Sequence, residues 1–139
     1  MILLTNALIL TVALFLFAAS AEASPVHIQI LNNGNIPIHT CAEGFPEKVY
    51  ANSNRSADID VPANGQPLNV QYRAYTDTDH IYRLRNGCLF NIVKSKSGLA
   101  RVNITATRLS TNSRCKAKRL DASSQNWQLV ATYTDLNPY

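Results

Sequence analysis

The chain has 139 residues, a formal net charge of +4 and 46% hydrophobic residues. That length leaves room for one domain and excludes a chain of several. A domain of this size buries roughly two thirds of its unfolded surface, so it needs neither a structural metal nor many disulfides to fold. Three cysteines, Cys41, Cys88 and Cys115, allow one bridge and leave one thiol over.

Residues 1–23 read as a secretory leader. An apolar run from Ala7 to Ala19 is broken only by Thr11 and ends in Ala21-Glu22-Ala23, ahead of Ser24-Pro25. The run is too short for a membrane span, and the small-x-small pattern is a cleavage signal. No Lys or Arg precedes it. Cleavage is expected after Ala23, giving a single mature domain over 24–139 that is secreted, or periplasmic in a bacterium. No other stretch is apolar enough to cross a bilayer.

The first mature segment, VHIQILNNGNIPIHTC at 26–41, holds an Asn-Gly pair between two alternating runs. A three-residue loop Asn32-Asn33-Gly34 sets Ile30 opposite Ile36, Ile28 opposite Ile38 and Val26 opposite Thr40. All the large aliphatics except Leu31 then share one face, and Gly34 takes the left-handed loop position. In that hairpin His27 faces His39 on the outer side, with Cys41 following. Two imidazoles and a thiol are zinc or copper ligands, but no fourth ligand is identifiable. Short strands are expected next at 48–51 and 57–61, then a turn at Pro62-Ala63-Asn64-Gly65.

Leu68, Val70, Tyr72 and Ala74 alternate with polar residues and form a half-buried strand. A second Asn-Gly pair, in Arg85-Asn86-Gly87, repeats the hairpin pattern, with Leu84 opposite Cys88 and Tyr82 opposite Phe90. Further alternation marks strands around Ala100–Ala106 and Trp127–Tyr133, with turns at 95–98 and 110–113. No segment holds a helical period. The expected fold is all-β: a small antiparallel β-sandwich, or partly open barrel, of eight or nine short strands.

Alternation turns Cys88 and Cys115 inward and Cys41 outward, so Cys88–Cys115 is the expected disulfide. In a simple meander the strand at 99–107 would separate them by about 9–10 Å, too far for a bridge. The pairing therefore requires residues 114–119 to cross to the opposite sheet.

Charge is segregated along the chain. Between His80 and Leu120 lie ten bases and no acid; the rest of the mature chain has three bases and eight acids. Alternation points Arg83, Arg101, Lys116 and Lys118 outward, with Arg85 nearby. Such a face attracts an anionic glycan, an anionic membrane surface, nucleic acid or an acidic protein. Specific nucleic-acid readout is disfavoured, because no aromatic stacking motif is interleaved with the bases.

A competing reading is a small secreted hydrolase. Asp77 and Asp79 stand beside His80, and Asp58 and Asp60 share one strand face, so carboxylates and a general base could meet. Aspartates are also ordinary turn residues, and no catalytic motif is present. Asn54-Arg55-Ser56 and Asn103-Ile104-Thr105 are glycosylation sequons, the first placed in a polar loop. The combined expectation is a non-enzymatic secreted binding protein without a cofactor. Its size, leader and sandwich suit the broad class of small secreted effectors, adhesins and inhibitors. The oligomeric state is open.

Overall fold

A computed structural model of the chain describes residues 25–76, 81–96 and 101–133, the side chains of 75–76 and 81–86 excepted. The leader and the Asp77–His80 segment lie outside the described residues. Among the described residues there are nine strands and no helix: β1 (Val26–Asn32), β2 (Ile38–His39), β3 (Lys48–Val49), β4 (Ser53–Ile59), β5 (Leu68–Thr76), β6 (Ile81–Lys94), β7 (Val102–Arg108), β8 (Ser113–Arg119) and β9 (Asn126–Tyr133). They form a four-stranded sheet, β4-β1-β9-β8, and a five-stranded sheet, β3-β2-β5-β6-β7. Two separate sheets give a sandwich-like arrangement and not a closed barrel.

The expected apolar positions supply the core. Ile28, Ile30 and Leu129 from one sheet meet Ile38, Val70, Tyr72, Phe90 and Ile92 from the other, each 1% exposed or less. Burying an aliphatic or aromatic side chain of this kind contributes about 1.5–3 kcal/mol.

The wholly antiparallel expectation needs one correction. Six ladders are antiparallel, but β1 pairs with β9 in parallel, Gln29 opposite Gln128 and Ile30 opposite Leu129. A parallel pair needs a long crossover, and here nearly the whole domain provides it.

Neither Asn-Gly hairpin forms. β1 pairs with β4 and β9, whereas β2 pairs with β3 and β5 in the other sheet. Residues 33–37 therefore carry the chain between layers. The aliphatic pattern that suggested one hairpin face is satisfied from both sides of the core at once: Ile28 and Ile30 enter from one sheet and Ile38 from the other. Asn32, fully buried, pins this crossing. Its Nδ2 donates to the carbonyls of Ile36 (2.9 Å) and Val49 (3.1 Å), and its Oδ1 accepts from Gly34 N (2.9 Å).

The second pair lies inside β6, which continues along β5 with Cys88 opposite Tyr72 and Tyr82 opposite Tyr75. Between those points Ala74 of β5 faces four residues of β6, 83–86, so the extra length is absorbed as a bulge. Neither Gly34 nor Gly87 has positive φ. Each lies where a neighbouring backbone passes: an added Cβ would fall 2.3 Å from Tyr133 O at Gly34 and 2.2 Å from Tyr72 O at Gly87. The turn at 62–65 does hold its glycine left-handed, at φ 77°.

Two short connections close the sides of the sandwich. Residues 50–52 lead from β3 to β4, and residues 109–112 lead from β7 to β8; each passes from one sheet to the other. The second is stapled. Cys88 on β6 and Cys115 on β8 form the expected disulfide, Cα atoms 5.6 Å apart. The crossing of residues 113–119 to the opposite sheet, which that pairing required, is present.

Candidate functional site

The layers sort the charges. β7 and β8, adjacent in sequence, are the edge strands of their sheets on one side of the sandwich; β3 and β4 are the edges on the other. On β8, Cys115 and Ala117 turn inward while Arg114, Lys116 and Lys118 are exposed. Arg119 at the strand end, Arg101 just before β7 and Arg108 at the end of β7 are exposed as well. Small inward residues let β8 sit close against the core, and the disulfide fixes its height.

Position is set at both ends. Leu109 N donates to Gly87 O (3.0 Å), and Ser110 and Ser113 share a hydroxyl hydrogen bond of 2.8 Å at the β7–β8 connection. At the other end Val102 N donates to the buried Ser124 hydroxyl (3.3 Å), tying β7 to the β8–β9 turn. Trp127 Nε1 donates to Ser124 O (2.8 Å). Asp121 closes this turn through Ser123 (2.9 Å from N, 2.5 Å from Oγ) and through Asn126 Nδ2. The side-chain hydrogen bonds from Ser123 and Asn126 hold its carboxyl below the usual range, and Arg119 adds to the effect.

Of the bases singled out in the sequence, Arg101, Lys116 and Lys118 thus lie together on this side. The side chains of Arg83 and Arg85 lie outside the described residues.

On the outer face of the four-stranded sheet, the cation row borders a row of amides. Lys118 stands opposite Gln128 on β9, Gln128 beside Gln29 on β1, and Gln29 opposite Ser56 on β4. Gln128 Nε2 donates to Gln29 Oε1 (2.8 Å), and Gln29 Nε2 donates to Asn54 Oδ1 (3.3 Å). Sequence reasoning missed this row. Its members fall on outward positions, but the parallel β1–β9 register that joins them has no local signature.

The metal reading fails. His27 lies on the outer face of the four-stranded sheet, where Nδ1 is 2.8 Å from Asp58 Oδ1. His39 lies on the opposite sheet, opposite Lys48 and Arg73, with Nε2 3.3 Å from Glu47 Oε1. The hairpin that would have brought them together does not form, since β1 and β2 belong to different sheets. Among the described residues no three His, Cys, Asp or Glu side chains converge as metal ligands. Cys41 is exposed and outside the disulfide.

For the hydrolase reading, Asp58 is engaged by His27, and Asp60 is exposed just beyond β4. Asp77, Asp79 and His80 lie outside the described residues. A cavity of about 410 Å³ opens elsewhere, on the outer face of the five-stranded sheet, lined by His39, Thr40, Cys41, Ala42, Asn69, Gln71, Arg73 and Leu89. Arg73 is held there by Gln71 Oε1, accepting from Nε (3.1 Å) and Nη2 (2.5 Å). Among the described residues no carboxylate lines the cavity. Both sequon asparagines are exposed; Asn54 sits on β4 and not in a loop, and Asn103 on β7. No helix among the described residues is long and apolar enough to cross a membrane.

No protein-family model matches this chain, and no curated protein matches it significantly.

Proposed function

We propose that this chain is a secreted, non-enzymatic binding protein that engages an anionic partner through the exposed cations of β8 and the flanks of β7. The observation that carries this reading is their placement: Arg114, Lys116 and Lys118 alternate on one edge strand, with Arg101, Arg108 and Arg119 around them. Glu43, Glu47, Asp58 and Asp60 lie in the loop before β3, on β4 and just beyond it, on the other side of the sandwich, where Lys48 and Arg55 also stand. A field divided in this way orients an anionic partner toward one side and speeds its approach. A disulfide between layers supports export to an oxidising compartment, as does the leader-like segment at 1–23.

The test is binding to a polyanion, measured as a function of salt. Heparin, used as a generic polyanion, is expected to bind at low ionic strength and to release as salt rises, since screening sets in beyond about 8 Å at physiological strength. Replacing Arg101, Lys116 and Lys118 with serine should reduce affinity at least tenfold with little change in stability. The paired change Lys48→Ser and Arg55→Ser, on the other side, should leave binding nearly intact. Equal losses from both sets would mean attraction by net charge alone.

A further inference from the structure

The cations do not act alone on their face, and what stands beside them narrows the class of anion. On β8 the outward residues repeat every second position, about 6.6–6.8 Å apart, so Arg114, Lys116 and Lys118 form a straight file about 13 Å long. From its Lys118 end a row of hydrogen-bonding amides, Gln128, Gln29 and Asn54, crosses the sheet, already aligned by their own bonds, while Lys116 stands opposite Val130 and Arg114 opposite Thr132. An amide both donates and accepts, which suits hydroxyl groups; a phosphodiester backbone offers acceptors only.

Aromatic and apolar groups are scarce here. Among the described residues the exposed large hydrophobic side chains are Tyr50 and Leu120. Tyr50 lies between β3 and β4, its ring under Lys48 Nζ at 4.8 Å, far around the sandwich from β8. Leu120 stands singly past the end of the cation file. The apolar side chains of the face are Leu31 and Val130, half-buried neighbours on β1 and β9, and among the described residues no exposed Phe, Tyr or Trp on it offers the stacking platform that unpaired bases use.

We propose that the outer face of the four-stranded sheet binds a linear sulfated polysaccharide, its sulfates on Arg114, Lys116 and Lys118 and its hydroxyls on the Gln128–Gln29–Asn54 row. The proposal rests on the anionic-partner reading above and deepens it. Sulfates give charge-assisted hydrogen bonds, bidentate at arginine. The amide row supplies what charge cannot, a preference for a hydroxylated chain over another polyanion. Two acids bound the site: Asp58, paired with His27 beyond the amide row, and Asp121, held by the β8–β9 turn.

The experiment uses the disulfide-bonded domain, produced without N-glycans so that Asn54 is bare. Binding of heparin, fully desulfated heparin, single-stranded DNA and phosphatidylserine vesicles is compared at two salt concentrations. Heparin should bind at least tenfold more tightly than DNA of matched charge at physiological salt, and desulfated heparin should not bind. Gln29→Ala and Gln128→Ala should weaken heparin several-fold while leaving DNA binding and the salt dependence unchanged. Gln29→Glu, which keeps the side-chain size and adds a charge, should weaken heparin further; it also serves if an alanine variant melts early. If heparin and DNA bind alike and the glutamine variants change neither, the polysaccharide proposal is overturned while the cationic reading stands. Tighter binding to DNA or to vesicles overturns it in favour of that partner. If no polyanion binds at low salt, both readings fall.

Discussion

The two sides of the sandwich are built on one plan and fastened in different ways. On each, a short connection carries the chain from the edge of one sheet to the edge of the other, β3 to β4 and β7 to β8. The β7–β8 side is held covalently, by Cys88–Cys115, and displays cations. The β3–β4 side is held by hydrogen bonds to carbonyls: Asn32 Nδ2 to Val49 O, Tyr72 OH to Pro46 O (2.7 Å), and Arg55 Nη1 to Lys48 O (3.4 Å). The difference teaches that one side is held by a covalent link that salt and pH do not break, and the other by bonds to single carbonyls that one substitution removes.

The largest effect expected from breaking this contrast is loss of the staple. Replacing both Cys88 and Cys115 with alanine should cost about 3–4 kcal/mol by the loop-entropy estimate for a loop of this length. Chemical denaturation should show that loss. Amide exchange should show that β8 loses protection before β4 does. A uniform loss would mean that the bridge stabilises the domain without favouring its own side.

On the other side, Asn32→Ala leaves the buried Val49 carbonyl without its amide donor and should cost about 2–3 kcal/mol. It should shift β3 and β4 in an NMR spectrum while leaving polyanion binding intact. A change confined to β8 would contradict the assignment.

Tyr72→Phe removes only the bond to Pro46 O and should cost about 1 kcal/mol. Tyr72 also predicts an alkaline limit. Burial pushes its phenol well above the ordinary value of 10.0, against a smaller opposing pull from Arg55. The unfolded chain releases this proton near pH 10 and the folded chain keeps it. Stability is therefore unaffected below that pH and falls as pH rises past it. In Tyr72→Phe this part of the alkaline loss should disappear, which melts at pH 9 and pH 11 would resolve.

The smallest effect is at the β8–β9 turn. Hydrogen bonds lower the Asp121 carboxyl, so its stabilising contribution is present above the unfolded value and fades as pH drops through the folded one. In acid the amides of 121–126 should lose protection relative to their intrinsic exchange rates. In Asp121→Ala they should do so at every pH.

Much of this was legible in the chain because period-two alternation is a local signal. Val70, Tyr72, Ile104, Trp127 and Leu129 all face inward where alternation put them. The disulfide was legible for the same reason: two inward cysteines near one another leave few ways to pack. Pairing was not legible. An Asn-Gly pair between aliphatic runs fits a hairpin as well as it fits a crossing between layers, and both Gly34 and Gly87 serve close backbone approach. The candidate site divides along the same line. The exposure of Lys116 and Lys118 follows from alternation within one strand. The Gln128–Gln29–Asn54 row depends on two partners of β1 that lie 25 and 99 positions away.

That last separation governs how the molecule is made. The middle of the four-stranded sheet joins its first strand to its last, Gln29 to Gln128, across almost the whole domain. Closing a loop of 99 residues costs about 4 kcal/mol in its length-dependent part alone, and pairings of such high contact order form slowly. During synthesis β1 can meet β4 early, but its parallel neighbour β9 follows only after every other strand, so the four-stranded sheet is completed last. The amides Gln29 and Gln128 therefore come into line only in the final step of assembly, and any ligand that needs both of them reports on the finished domain.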